Sequence, residues 1–190
     1  MQFFKKFIDD SVKWCKGKFP YFRALLLLYF VYILFRYLSN PDYNSFFNGL
    51  NLGIHELGHL IFSPFGEFMH FLGGSLTEII FPVIGILMFY FQKDYFAISV
   101  GFGWFATALF HVATYVADAR RMELPLVSPF GIHPIHDWNY ILSKTGLLSY
   151  DLVIANFLRF LGYLSIFFCI FYGIFLLFFM FKPDDTEEEF

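Results

Sequence analysis

Five apolar stretches, at about 19–38, 46–65, 76–91, 95–117 and 152–181, fill most of this 190-residue chain. A bilayer core about 30 Å thick is crossed by roughly 20 helical residues. In lipid every backbone polar group needs a partner within the protein, and a helix supplies one from its own segment. These constraints predict an all-α fold: one polytopic helix bundle in a membrane, with about five transmembrane segments. The third stretch is short and borrows part of the loop before it. Composition agrees, with 58% apolar residues and 31 Phe against about 45–50% apolar in average proteins. The net charge of −3 says little about partners. The lipid bilayer is the expected surround, and no nucleic-acid partner is expected.

The flanks divide the chain further. Residues 1–18 carry five lysines interleaved with Phe3, Phe4, Phe7, Ile8 and Trp14, which suits a basic amphipathic helix on the cytoplasmic surface. Residues 19–182 form the membrane domain, with a long cytoplasmic loop at about 118–150 broken by Pro125, Pro129 and Pro134. Residues 183–190 form an acidic, solvated tail. Counting five full spans from a cytoplasmic N-terminus puts Lys5 to Arg23, Arg120, Arg121 and Lys144 inside, and Arg36, Lys93 and Lys182 outside. The expected location is a multi-pass protein of a bacterial inner membrane. Cys15 and Cys169 lie far apart in different segments, so neither a disulfide nor a thiolate metal site is expected.

The second stretch contains His55-Glu56-Leu57-Gly58-His59, an H-E-x-x-H motif. Residues four apart share a helix face, so both imidazoles can reach one metal ion. Glu56 is then placed to act as general base on an activated water. Six His and seven Glu in a chain of this length give about 0.007 chance occurrences of the pattern. Burying three such groups among apolar neighbours is costly without partners or a role.

A catalytic zinc site takes three protein ligands and keeps an open position. The candidates for the third are His70, Glu78, His111, Asp118, His133, His136 and Asp137. His136 and Asp137 follow a proline-rich loop and open a short helix, so this pair is favoured, with Asp137 slightly ahead. Asp118 is the rival; it ends the fourth stretch and shares a face with His111 and Tyr115. The residue not used as ligand is expected to orient one. Glu78 is an intramembrane acid and a functional candidate on that ground.

These residues resemble the site-2 protease family of intramembrane zinc metalloproteases. The strong match covers 51–66, and the order of spans follows loosely to about 140. The resemblance implies zinc held by His55 and His59, with Glu56 activating water. It also implies an Asp ligand from a later segment; here Asp137 stands in His136-Asp137-Trp138 rather than in the family's Leu-Asp-Gly. The chain reads as a divergent, minimal member, cleaving transmembrane protein substrates. The Gly-containing segment 66–75 reads as a re-entrant, irregular stretch. Its Gly73 and Gly74 are expected to bind substrate, as an edge that pairs with an extended peptide. A zinc hydrolase acting on a lipid amide or ester, and a non-catalytic metal-binding membrane protein, are the alternatives.

Overall fold

The computed structural model describes residues 2–125 and 135–182. Seven α-helices make up the described chain: α1 (Gln2–Cys15), α2 (Tyr21–Ser39), α3 (Phe47–Phe62), α4 (Glu67–Gln92), α5 (Tyr95–Ala117), α6 (Asp137–Thr145) and α7 (Asp151–Met180). No strand occurs among the described residues. The fold is therefore an all-α bundle. Helices α2, α4, α5 and α7 are long and apolar enough to cross a membrane, so the protein is a membrane protein.

The burial pattern is that of a protein folded in lipid. Phe22, Leu25, Phe157 and Phe171 point outward, while Asn51, Glu78, Ser99 and Thr107 are inside. Apolar surface has no reason to hide from lipid; polar groups do. Helix α5 lies at the centre, with Ala106 and Ala108 fully enclosed. Its small residues let neighbouring helices approach closely. Phe30 of α2 fills the space over Gly103, and Ile86 of α4 the space over Gly101.

Among the described residues, four of the five apolar stretches form helices long enough to cross a membrane. Helix α3 has 16 residues, short of the roughly 20 that a crossing takes. It also begins inside the bundle. Asp42 lies beside Thr114 at the end of α5, whereas Phe47 stacks on Phe30, which packs at Gly103. Eleven residues along α5 measure about 16 Å at 1.5 Å each. The non-helical residues 43–45 carry most of that descent. Helix α3 then climbs back past Trp104 and Thr107, which bond to Asn51.

With α3 of half length, the contacts group the charged residues by bundle end differently from the expectation of five full spans. Phe7 and Trp14 of α1 pack on Tyr95, and Tyr21 packs on Phe181. Arg120 meets Asp151, and Arg159 meets Asp42, at the other end. The α1 lysines and the Arg120–Arg121 turn therefore lie at opposite ends of the bundle.

The expected irregular stretch at 66–75 is also corrected. A short 3-10 turn, Ser63–Phe65, ends at Gly66 (φ 95°), and from Glu67 onward the chain is helical. Gly73 and Gly74 lie within α4 and are buried. The glycines permit a close crossing of α3 and α4 instead of breaking the helix. A side chain on Gly73 would strike Phe62 and the Gly58 carbonyl. Irregular, descending chain does exist, but it precedes the motif helix. The loop segment 126–134, with Pro129, His133 and Pro134, and the tail 183–190 lie outside the described residues.

Candidate metal centre

His55 and His59 sit on successive turns of α3, facing α4 and the start of α6. His55 Nδ1 lies 3.2 Å from Glu78 Oε2, and a carboxylate oxygen can only accept, so that nitrogen carries the proton. His59 Nδ1 donates to the His70 carbonyl at 2.8 Å. His70 Nδ1 returns the bond to the His59 carbonyl at 3.0 Å, locking the α3–α4 turn. In a neutral imidazole only one ring nitrogen carries a proton. Both Nε2 atoms are therefore lone-pair donors.

Both Nε2 atoms point at one carboxylate oxygen. Asp137 Oδ2 lies 3.0 Å from His55 Nε2 and 3.2 Å from His59 Nε2. All three donor atoms fall within 4.8 Å of one another. Three electron-rich atoms at this spacing need a positive charge between them. Protonating both rings would set two imidazolium ions at a centroid distance of 4.8 Å. A metal ion answers the same need without that repulsion. Ligands about 2.0 Å from a tetrahedral zinc lie roughly 3.3 Å apart, close to the 3.0 Å and 3.2 Å that separate Asp137 Oδ2 from the two ring nitrogens. His55, Asp137 and Glu78 are buried, and two buried carboxylates are balanced in charge by one divalent ion. Gly74 completes the fit: a Cβ there would stand 2.5 Å from His55 Nε2 and 2.8 Å from His59 Nε2. Only a glycine leaves the space beside the donors open.

Helix α6 brings Asp137 to the site, and its start is heavily tied. His136 is the N-cap, its Nδ1 accepting the Asn139 N–H at 3.2 Å. Its Nε2–H then donates to Asp118 Oδ2 at 3.3 Å. Burial pushes the His136 imidazole below its usual pKa, and the pull of Asp118 does not restore it. A neutral ring is what this bonding pattern requires. Asp118 also accepts the N–H groups of Glu123 and Leu124. The structure thus leaves neither His136 nor Asp118 at the centre: both ring nitrogens of His136 are committed at the start of α6, and the Asp118 oxygens to His136 and to the turn that follows α5. Asp137 donates its own N–H to the Tyr115 hydroxyl at 3.1 Å, and Trp138 donates to Ser75 Oγ at 3.0 Å.

Of the residues proposed from sequence, the structure brings together His55, His59 and Asp137, with Glu78 and His111 behind His55. Glu56 lies half-buried on the same helical turn as His55. His70 reaches His59 through the backbone alone. The expected face of His111, Tyr115 and Asp118 exists, but each serves a different part of the site: Glu78, Asp137 and His136 in turn. Gly73 and Gly74 form no strand edge. The part played by Gly74 was missed in the sequence, where a Gly-Gly pair reads as a loop; its spacing from the motif carries no signal of a helix crossing. No family model, curated relative or solved structure matches the chain.

Proposed function

We propose that the protein is a membrane-embedded, zinc-dependent hydrolase that cuts peptide bonds in membrane-spanning proteins. The observation that carries this reading is the convergence of His55 Nε2, His59 Nε2 and Asp137 Oδ2, with the far nitrogen of each ring already committed. Two imidazoles and one carboxylate are a zinc-type donor set, whereas calcium and magnesium take oxygen ligands. Zinc bound there would polarise the scissile carbonyl and acidify a water molecule. Glu56 takes the proton as the water oxygen bonds to the carbonyl carbon. It then delivers the proton to the departing amine nitrogen as the C–N bond breaks. The tight α3–α4 crossing and α6 hold the site on one side. The resemblance to site-2 proteases supports the peptide bond as substrate.

A lipid amide or ester is the second reading. It is favoured by one finding: residues 67–75 are helical, so the strand edge expected to hold an extended peptide is not there. As to sidedness, the α1 end of the bundle carries Lys5, Lys6, Lys13, Lys16, Lys18, Arg23, Lys93 and Lys182. The other end carries Arg36, Arg120, Arg121, Lys144 and Arg159. The positive-inside rule then places the N-terminus in the cytoplasm, and the metal centre toward the opposite face.

The test uses the full chain in lipid vesicles with synthetic Leu/Ala transmembrane peptides interrupted by glycine, scored by mass spectrometry for new termini. Lipid hydrolysis products are read from the same samples. Glu56→Gln should retain one zinc per chain and lose cleavage by about 10²–10⁴-fold. Absence of zinc from the folded wild type, even after zinc is supplied, would end this reading.

A further inference from the structure

Behind the metal centre, Glu78 has a fully enclosed side chain on α4. Nothing in the proposed reaction uses it. Both of its oxygens are nevertheless engaged by rings from different helices. His55 Nδ1 of α3 lies 3.2 Å from Oε2, and His111 Nδ1 of α5 lies 2.8 Å from Oε1. A buried carboxylate is expensive, and one that serves only packing is replaceable by an apolar side chain at a gain.

We infer that Glu78 is a positioning residue, which fixes His55 with Nε2 toward the ion, and that His111 is the strut that fixes Glu78. This rests on the metal reading above. The reasoning runs along the hydrogen bonds. A neutral imidazole can place its proton on either nitrogen. An acceptor at Nδ1 selects the form whose lone pair is on Nε2 and sets the angle of the ring. Glu78 can do this only while its own rotamer is held. The His111 bond to Oε1 holds it from α5, the central helix. The chain His111–Glu78–His55 thus ties one ligand of the centre to the most enclosed part of the bundle. His59 has the corresponding restraint from a backbone carbonyl, that of His70. The two ligands are therefore oriented by different means, and only one is sensitive to a side-chain substitution behind it.

The experiment measures zinc affinity by competition with a chromophoric chelator, and the visible absorption of the cobalt-loaded protein, on detergent-purified full chain. The variants are Glu78→Gln, Glu78→Leu and His111→Leu. Gln keeps an oxygen acceptor for His55 Nδ1–H, so its affinity should stay within about tenfold of wild type with the cobalt bands in place. Glu78→Leu should lose about 10–100-fold in affinity, with shifted bands. His111→Leu should fall between them. Helical content and melting are recorded for each, and His111→Leu, which leaves Glu78 in place, provides the reading if Glu78→Leu does not fold. Wild-type affinity and spectrum in a folded Glu78→Leu, or in His111→Leu where Glu78→Leu is unfolded, would overturn the inference while leaving the metal reading standing. Failure of the wild type to bind zinc or cobalt would overturn both.

Discussion

Replacing Gly74 with alanine adds one methyl group, and the structure says where it goes. The new Cβ would lie 2.5 Å from His55 Nε2, 2.7 Å from its Cδ2 and 2.8 Å from His59 Nε2. Ordinary contact begins at 3.4 Å, so the His55 ring must recede by about 0.9 Å and His59 by about 0.6 Å. Metal–ligand distances tolerate only about 0.2 Å. Neither ring is free to yield, since Glu78 and the His70 carbonyl hold their far sides. The expected result is a loss of at least about 100-fold in zinc affinity, with an overpacking cost of about 1–3 kcal/mol in stability. Gly53→Ala is the matched control. It adds the same methyl to the motif helix where nothing lies within 4 Å, and alanine favours a helix by about 0.5–1 kcal/mol. Zinc affinity by chelator competition and thermal melting in detergent separate the two. Wild-type zinc affinity in Gly74→Ala would refute the placement of the ion between these rings.

Asp137→Ala should abolish zinc binding, whereas Asp118→Ala should weaken it only in part, because Asp118 reaches α6 only through its bond to His136; zinc content of the two purified variants decides. Cys15 is buried, and burial raises its thiol from 9.0 to about 11 despite the nearby Arg23. At pH 8 its thiolate fraction is then about 100-fold below that of an ordinary thiol, so maleimide labelling of a Cys169→Ala chain should be at least that much slower folded than denatured, and should accelerate as pH rises toward 11. Single cysteines placed at Gln2 and at Lys144, in a background lacking the native pair, should react with an impermeant reagent from opposite sides of sealed vesicles. Reaction from the same side would refute the four-span arrangement.

How much of this was legible depends on how far apart the interacting residues lie. The motif was readable because its physics is local: a spacing of four on one helix brings His55 and His59 together. The all-α class was readable because the bilayer admits few alternatives. The third member of the cluster was narrowed to three residues within 20 positions, but choosing among them required knowing that His136 and Asp118 bond to each other. That pairing depends on how α6 docks against α5, and no local pattern encodes it. Gly73 and Gly74 were misread for a related reason. Glycine signals both a bend and a close approach, and only the partner helix tells which. The grouping of charges by bundle end turns on α3: a 16-residue helix that starts inside the bundle leaves no local mark that separates it from a full span.

The shortness of α3 also has a consequence for how the protein is made. A segment of 16 residues containing Asn51, His55, Glu56 and His59 is a poor candidate to leave the translocation channel for lipid unaided, since polar and ionisable residues near a segment's centre each oppose insertion. Helices α4 and α5 supply the partners that these residues need, and both are synthesised later. The cluster of His55, His59 and Asp137 can therefore close only after α4, α5 and α6 have all been made, so a metal ion held there would be the last part of the fold to be put in place.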